Sequence, residues 1–253
     1  MEATLGRPLP RENTMMRHVD TPEVEVLLPV HNEAKSIKQT LWEIYCAVSA
    51  VTTVRFILCE DGSTDGTPEV LARLAQDLPI HVFHGKVRKG YSQAVIDGFR
   101  AVEAPWVFFL DADGQLDPAS FGQAYQLRSD YDVVVGWRVT RVDAWHRRLM
   151  SRCFRAIYNS FFRCPLHDPS CPFLLIRREA IVAVQGELGI LRLGLWWEFV
   201  ARVYAAGFRI AELPVNHRRR RSGKTQIYNC WKIPGIAWSH LVGLLIIKRQ
   251  LAR

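Results

Sequence analysis

Two aspartates that directly follow an apolar run are the residues of this sequence best suited to chemistry. The run is Trp106–Leu110, which is too short for a helix and favours a strand buried on both faces. Asp111 and Asp113 follow it, and Gln115 adds an amide oxygen. Such oxygens suit Mg²⁺ or Mn²⁺, which usually keep positions open for substrate phosphates. The pattern predicts a cation that bridges a nucleotide diphosphate to the protein, although Asp, Gly and Pro also make ordinary turns.

Two earlier strands are predicted to end in loops at the same place. Val24–Val30 runs into the PVHNE loop at 29–33, and Val54–Cys59 runs into the EDGSTDGT loop at 60–67. Apolar residues recur at helical spacing over 34–49, between the two strands. This alternation predicts a parallel sheet, in which the carboxyl ends of the strands border one crevice. We therefore expect the three acidic loops to converge.

A fourth segment offers positive charge to the same crevice. Arg88, Lys89 and Gly90 open a predicted helix that runs to Ala101. The start of a helix presents backbone N–H groups that suit a phosphate, and Lys89 adds a cation. The two basic side chains also fit a solvated surface pair, and the residues alone leave both interpretations open.

Composition indicates one large α/β domain with anionic partners. The chain has 253 residues, 49% of them hydrophobic, a net charge of +8 and a sequence pI near 9.4. The six cysteines form no CxxC pair, which favours buried free thiols, and the polar N-terminus lacks the apolar core of an export signal. We expect a cytoplasmic protein with a flexible leader at 1–22, a catalytic domain at 23–228 and a C-terminal segment at 229–253.

The three loops together resemble the family 2 glycosyltransferases with the GT-A fold. PVHNE at 29–33, EDGSTDGT at 60–67 and DADGQLDP at 111–118 stand in the order and spacing of that family. The resemblance implies a single Rossmann-like domain with a mainly parallel central sheet flanked by helices. A dehydrogenase is disfavoured, because no GxGxxG follows the first strand.

The same resemblance implies roles for individual residues around a nucleotide-sugar, with GDP- and UDP-linked mannose or glucose both compatible. The base and ribose would be held by Pro29, Glu33 and Asp61. The metal and diphosphate would be held by Asp111, Asp113 and Gln115.

The second half of the chain contains a one-sided run of positive charge. Seven arginines stand between Arg138 and Arg163, against a single acid, Asp143. Arg147 and Ser151 are four apart, so on a helix they share a face and would clamp one phosphate together with Arg138. A basic helix face lying on acidic lipid or in solvent is the alternative. The run resembles the dolichol-phosphate mannose synthase branch, whose acceptor is a polyprenyl phosphate.

Two further positions match that branch. Glu198, after Leu195-Trp196-Trp197, matches an acidic residue of the family and would be a general base for a hydroxyl acceptor. Its alternative roles are a charge near a helix start or a partner for an arginine. Arg220 lies in a basic stretch that resembles a loop closing on donor and acceptor phosphates.

The C-terminal stretch Ile233–Ile247 is apolar, interrupted by polar residues, and followed by Lys248 and Arg249. It is shorter than the roughly 20 residues that span a bilayer, so we expect an amphipathic helix lying in the membrane interface. A helix packed on the protein or on a partner is the alternative.

These expectations combine into a metal-dependent inverting hexosyltransferase, peripheral on the cytoplasmic membrane face. Asp113, Arg147 and Glu198 are its predicted catalytic residues. A transferase acting on a hydroxyl acceptor is a second interpretation. A basic RNA-binding or membrane-adaptor protein is a third, disfavoured because three acidic loops would repel nucleic-acid phosphates, so no nucleic-acid partner is expected.

Overall fold

The computed structural model describes residues 21–139, 145–220 and 233–252. In the two helices that border the gaps, side chains are described from Arg152 and from Gly235 onwards. Almost all of the predicted leader, 1–22, lies outside these ranges.

The described residues form a seven-stranded sheet in the order β3-β2-β1-β4-β6-β5-β7. Only β6 among them runs antiparallel to its neighbours, so the mainly parallel sheet predicted from the alternating pattern is confirmed. The strands are β1 (Val24–Val30), β2 (Val54–Asp61), β3 (Ile80–Gly85), β4 (Trp106–Leu110), β5 (Val133–Arg138), β6 (Phe173–Arg177) and β7 (Ile210–Val215).

The described residues also form eight α-helices and two short 3-10 helices, Pro118–Ser120 and Gln185–Glu187. In α1, a stripe that includes Ile37, Leu41, Ile44 and Val48 is buried, as the helical spacing predicts. The helices are α1 (Ile37–Ser49), α2 (Thr67–Leu74), α3 (Tyr91–Ala101), α4 (Phe121–Leu127), α5 (Trp145–Phe162), α6 (Arg178–Val184), α7 (Leu195–Ala205) and α8 (Ile233–Leu251).

The burial of an element determines how clearly the pattern of apolar and polar residues in its sequence predicts it. Every residue of β4 is buried, as expected of an apolar run inside a parallel sheet. Helix α7 is buried without interruption over Leu195–Val203, so its sequence lacks the polar face by which a surface helix is recognised. For the same reason β6, an apolar run of five residues, carried no strand-specific signal.

The described cysteines are free thiols, as predicted, but two of them are not buried. Cys46 on α1 and Cys153 on α5 are exposed, because both lie on outward faces of surface helices. Cys59, Cys164 and Cys171 are buried.

The C-terminal apolar stretch forms helix α8, which packs on α5 and α7. Its inner face buries Leu244 and Ile247, and the ring of His240 lies 5.4 Å from that of Phe154 on α5. None of the helices in the described ranges is long and apolar enough to cross a bilayer.

A close approach at Gly136 of β5 generates a stability prediction. A Cβ added there would lie 2.9 Å from Phe173 Cβ and 3.0 Å from Val215 Cγ2, both on neighbouring strands with no room to yield. Overpacking of this kind costs about 1–3 kcal/mol, so we expect Gly136→Ala to lower the free energy of unfolding by that amount in a urea titration. In Gly122→Ala, on α4, the new methyl meets only Val51 at 3.8 Å, and stability should not fall. Equal stability of the two variants would contradict the packing argument.

Candidate active site

The carboxyl ends of β1, β2 and β4 lie side by side, and the first two loops interlock. His31 Nδ1 lies 2.8 Å from the carbonyl oxygen of Asp61, joining the first loop to the second. Asn32 donates its backbone N–H to Ser63 Oγ at 2.9 Å and accepts from the N–H of Thr64 at 2.8 Å. The predicted convergence of these two loops is therefore present in the structure.

Glu33 lies buried at the end of the first loop and is tied to three different segments. Its backbone N–H donates to Thr67 Oγ1 at 3.0 Å, and its carboxylate accepts from Ser36 Oγ at 2.5 Å. The other carboxylate oxygen pairs with the guanidinium of Arg220. Pro29, predicted beside it, lies in the ladder between β1 and β2 opposite Cys59.

Asp61 uses both carboxylate oxygens to hold the start of α3. Oδ1 accepts from the backbone N–H of Lys89 at 2.6 Å and Oδ2 from that of Gly90 at 2.8 Å. Gly90 has a φ of 96°, a conformation open to glycine and strained for other residues. The Lys89 ammonium lies 2.7 Å from Asp97 Oδ2, so in this structure both the backbone N–H and the side chain of Lys89 contact carboxylates of the protein.

Asp111 and Asp113 face the same crevice and disfavour each other's charge. Burial raises the pKa of Asp111 to about 7, with the charge of Asp113 as the second cause. Burial also raises the pKa of Asp113, whose Oδ1 accepts from the N–H of Gln115 at 3.0 Å. No group of three or more His, Cys, Asp or Glu that would hold a metal alone occurs in the described ranges. Two adjacent carboxylates nevertheless fit a cation that completes its shell with phosphate oxygens.

Asp111 has a partner that the sequence did not reveal. The hydroxyl of Tyr91, the first residue of α3, donates to Asp111 Oδ1 at 2.8 Å, and Trp196 Nε1 donates to that hydroxyl at 2.8 Å. These residues are 20 and 105 positions apart along the chain, so no local spacing links them. The position of Tyr91 directly after Arg88-Lys89-Gly90 is the one signal that pointed to this place.

The segment 217–220 lies over the third loop. Leu116 and His217 form an isolated antiparallel bridge, and the N–H of Arg218 donates to the carbonyl oxygen of Gln115 at 2.7 Å. The side-chain amide of Gln115 donates to the Arg218 carbonyl oxygen at 3.3 Å, so its Nε2 faces this segment. Arg220 NH1 lies 4.0 Å from Asp113 Oδ2. A positive charge is thus held among the acidic residues of the crevice.

The predicted phosphate clamp is described in part. Arg138, at the end of β5, forks onto Asp168 with bonds of 2.6 and 2.8 Å and reaches Ser170 Oγ at 3.0 Å. Arg147 and Ser151 both lie in helix α5, as predicted, and their side chains lie outside the described part.

Glu198 is fully buried within α7 and its surroundings. Oε1 accepts from the guanidinium of Arg202 at 3.1 and 3.2 Å. Oε2 accepts from the backbone N–H groups of Gly189 and Leu191 at 3.2 and 2.8 Å. These contacts favour the role of arginine partner over that of general base, which stays a prediction.

Comparison with known proteins places this fold in a defined class, the GT-A glycosyltransferases. The profile of Glycosyl transferase family 2 matches residues 25–184, and the chain belongs to that family. It is 30% identical over 233 residues to the glycosyltransferase AglD of Haloferax volcanii, covering 88% of this chain and 37% of that protein. It is 27% identical over 220 residues to undecaprenyl-phosphate 4-deoxy-4-formamido-L-arabinose transferase of Sodalis glossinidius, covering 85% of this chain and 66% of that protein.

A solved structure shows the same fold at low sequence identity. Glucosyl-3-phosphoglycerate synthase from Mycobacterium tuberculosis, in complex with Mn²⁺, uridine-diphosphate-glucose and glycerol 3-phosphate, has a TM-score of 0.64 and 19% identity. The match covers 89% of this chain and 80% of that one. The predicted GT-A fold is confirmed. The chain spans about a third of the length of the Haloferax volcanii relative and about two thirds of that of the Sodalis glossinidius relative.

The contacts of Glu198 generate a prediction that separates its two roles. Glu198→Gln leaves Arg202 without its buried counter-charge, so we expect a loss of about 3 kcal/mol in the free energy of unfolding. At a temperature where the variant is folded, turnover should stay near that of the wild type. Glu187→Gln is the matched control, because Glu187 pairs with the same arginine from an exposed position and should cost less than about 1 kcal/mol. A fully stable Glu198→Gln variant with lost turnover would instead assign this carboxylate to the chemistry.

Proposed function

We propose that the protein is a metal-dependent, inverting glycosyltransferase that moves a hexose from a nucleotide-sugar to a polyprenyl phosphate. The observation that carries the proposal is the pair Asp111 and Asp113, set in the crevice that also receives Glu33, Asp61 and Arg220. This arrangement offers carboxylates to a cation and a guanidinium to phosphate groups at one place.

On the donor side, Asp111, Asp113 and Gln115 would hold Mg²⁺ or Mn²⁺ with the diphosphate. A cation held there would supply charge neutralisation for the departing nucleoside diphosphate. Pro29, Glu33 and Asp61 would surround the base and ribose, and Lys89 at the start of α3 would be the basic residue for the donor phosphates. Support comes from the structure of glucosyl-3-phosphoglycerate synthase, which has a similar fold and contains Mn²⁺ and uridine-diphosphate-glucose.

On the acceptor side, Arg138, Arg147, Ser151 and Arg220 would orient the lipid phosphate. The Sodalis glossinidius relative is named as an undecaprenyl-phosphate transferase, which supports this acceptor class. The fork of Arg138 onto Asp168 fixes the direction of its guanidinium and leaves the direct phosphate contacts chiefly to Arg147, Ser151 and Arg220.

The chemistry requires no protein base. A phosphate monoester has a second pKa near about 6, so its oxygen is already an anionic nucleophile at neutral pH. That oxygen would attack the anomeric carbon from the face opposite the diphosphate, forming one C–O bond as the other breaks and inverting the configuration. The residues contribute orientation and charge neutralisation. The hydroxyl-acceptor alternative needs a base, and the burial of Glu198 speaks against it.

Helix α8 would place the enzyme at the membrane surface. Its outward face exposes Trp238, Val242 and Leu245 at helical spacing, followed by exposed Arg249. An aromatic and aliphatic stripe with a basic end suits the interface of an anionic bilayer. We therefore keep 23–228 as the proposed catalytic domain and 229–253 as the proposed membrane-binding segment, and the cytoplasmic face stays a prediction.

The reaction predicts metal-dependent transfer of label into lipid. With purified protein, polyprenyl phosphate and radiolabelled GDP- and UDP-hexoses, we expect an organic-extractable product that EDTA abolishes. Asp113→Ala should lose at least about a hundredfold in turnover at unchanged thermal stability, because the cation loses a ligand. Asp77→Ala, an exposed aspartate after α2, is the control and should be active.

Two outcomes would revise the proposal. Activity like that of the wild type in Asp113→Ala would refute the metal assignment. Metal-dependent binding of a nucleotide-sugar without lipid product would keep the donor site and replace the phosphate acceptor by a hydroxyl compound.

The exposed stripe of α8 predicts vesicle binding. We expect co-sedimentation with vesicles of phosphatidylcholine mixed with phosphatidylglycerol, and less with phosphatidylcholine alone. Replacing Trp238 and Leu245 by Ala should weaken that binding about tenfold, because both side chains would leave the interface. Trp42→Ala removes an exposed tryptophan from α1 and should have no effect. Equal binding by both variants would disprove the stripe as the contact.

A further inference from the structure

A chain of two hydrogen bonds connects the core of the protein to the first aspartate of the proposed metal site. Trp196 Nε1 lies 2.8 Å from the Tyr91 hydroxyl, which lies 2.8 Å from Asp111 Oδ1. It joins three elements, α7, α3 and the end of β4, at a single carboxylate oxygen.

The chemistry of the three groups gives this chain one direction. An indole N–H donates and never accepts, so the Tyr91 oxygen accepts from Trp196. A phenol hydroxyl carries one proton to donate. In this pair of hydrogen bonds the Tyr91 hydroxyl donates it to Asp111 Oδ1. Both bonds therefore point toward the carboxylate and support its charged form.

Trp196, the buried residue of the two hydrogen bonds, is held in place by aromatic packing. The Trp196 ring is 5% exposed and lies 4.2 Å from the ring of Phe109, a residue of the same strand that carries Asp111. Phe99 of α3 and Phe199 of α7 pack on it from other sides, with ring centroids 6.2 and 5.7 Å away. The indole is thus fixed relative to β4, and the position of the tyrosine hydroxyl is fixed through it.

Tyr91, the middle residue of the two hydrogen bonds, is positioned by the second acidic loop. Tyr91 is the first residue of α3, and the preceding Gly90 donates its N–H to Asp61 Oδ2. The second acidic loop therefore sets the start of the helix that delivers the tyrosine to the third loop.

We propose that Tyr91 and Trp196 are positioning residues that hold Asp111 in the orientation in which it binds the divalent cation. This inference rests on the proposed metal site. A carboxylate held in one orientation before the cation arrives loses less freedom on binding, and partners behind a metal ligand typically change metal affinity by about 10–100-fold when removed. The alternative is that the chain only ties α3 and α7 to the sheet.

Direct measurement of Mn²⁺ binding separates these roles. The free Mn²⁺ signal in electron paramagnetic resonance would be titrated with purified protein in the presence of UDP, and separately of GDP, without any acceptor. Tyr91→Phe removes the donor to Asp111 and keeps the ring, so we expect about tenfold weaker Mn²⁺ binding. Thermal stability should fall modestly, because Trp196 Nε1 loses its hydrogen-bond acceptor.

A second variant tests the coupling through the tyrosine. Trp196→Phe removes the indole N–H and keeps an aromatic ring, so Mn²⁺ binding should weaken by a smaller factor. The double variant should bind Mn²⁺ no more weakly than Tyr91→Phe alone, because Trp196 acts through the Tyr91 hydroxyl. Tyr125→Phe is the control: it removes a hydroxyl that donates to Thr52 Oγ1 at 3.1 Å, between α4 and the end of α1, and should leave Mn²⁺ binding unchanged.

The outcomes distinguish this inference from the proposed function. If the wild-type protein and Tyr91→Phe bind Mn²⁺ with equal affinity, the positioning role is overturned and the metal site stands. Wild-type protein that binds no Mn²⁺ with either nucleotide would overturn the metal site itself. If Tyr91→Phe lost its fold, unchanged Mn²⁺ affinity in a folded Trp196→Phe would overturn the positioning role.

Discussion

The cost of removing several carboxylates from water at one edge of the sheet is the constraint on which the rest of this structure depends. Glu33 and Asp61 are buried, and Asp111 and Asp113 are close enough for their charges to oppose each other. A carboxylate without partners in such surroundings is strongly disfavoured. Glu33, Asp61 and Asp111 each accept a hydrogen bond from a distant part of the chain, and Asp113 lies 4.0 Å from the guanidinium of Arg220.

The recruited donors organise the crevice. Asp61 takes two backbone N–H groups and so sets the start of α3. Asp111 takes the hydroxyl that α3 delivers, and Glu33 takes the guanidinium of Arg220 from a segment 187 residues away. The loop over the site, the adjacent helix and the core helix α7 are thus arranged around the same acidic edge. A cation would offset the negative charge of these carboxylates, and phosphate groups would pair with the guanidinium of Arg220.

Local pattern predicted the parts of the fold that depend on local burial. The bounds of β1 and β4 agree with the sequence, since a mainly apolar run can be recognised without distant information. Convergence of the first two acidic loops also followed, because parallel strands end at one edge. The partners of the acidic groups did not follow: the fork of Arg138 onto Asp168 and the contact of Trp196 with Tyr91 join positions 30 and 105 residues apart. Such pairings depend on how the elements pack, which spacing along the chain does not encode.

The antiparallel strand β6 has a geometric consequence for the reaction. It lies between β4 and β5, so the loops that carry Asp111 and Arg138 are separated by two strand spacings, about 10 Å. A sugar ring between two phosphate groups needs a gap of this order. Because β6 runs the opposite way, its incoming end brings Asp168 to the same edge, between the two loops. In the proposed reaction, this one reversed strand would separate a donor half of the crevice from an acceptor half.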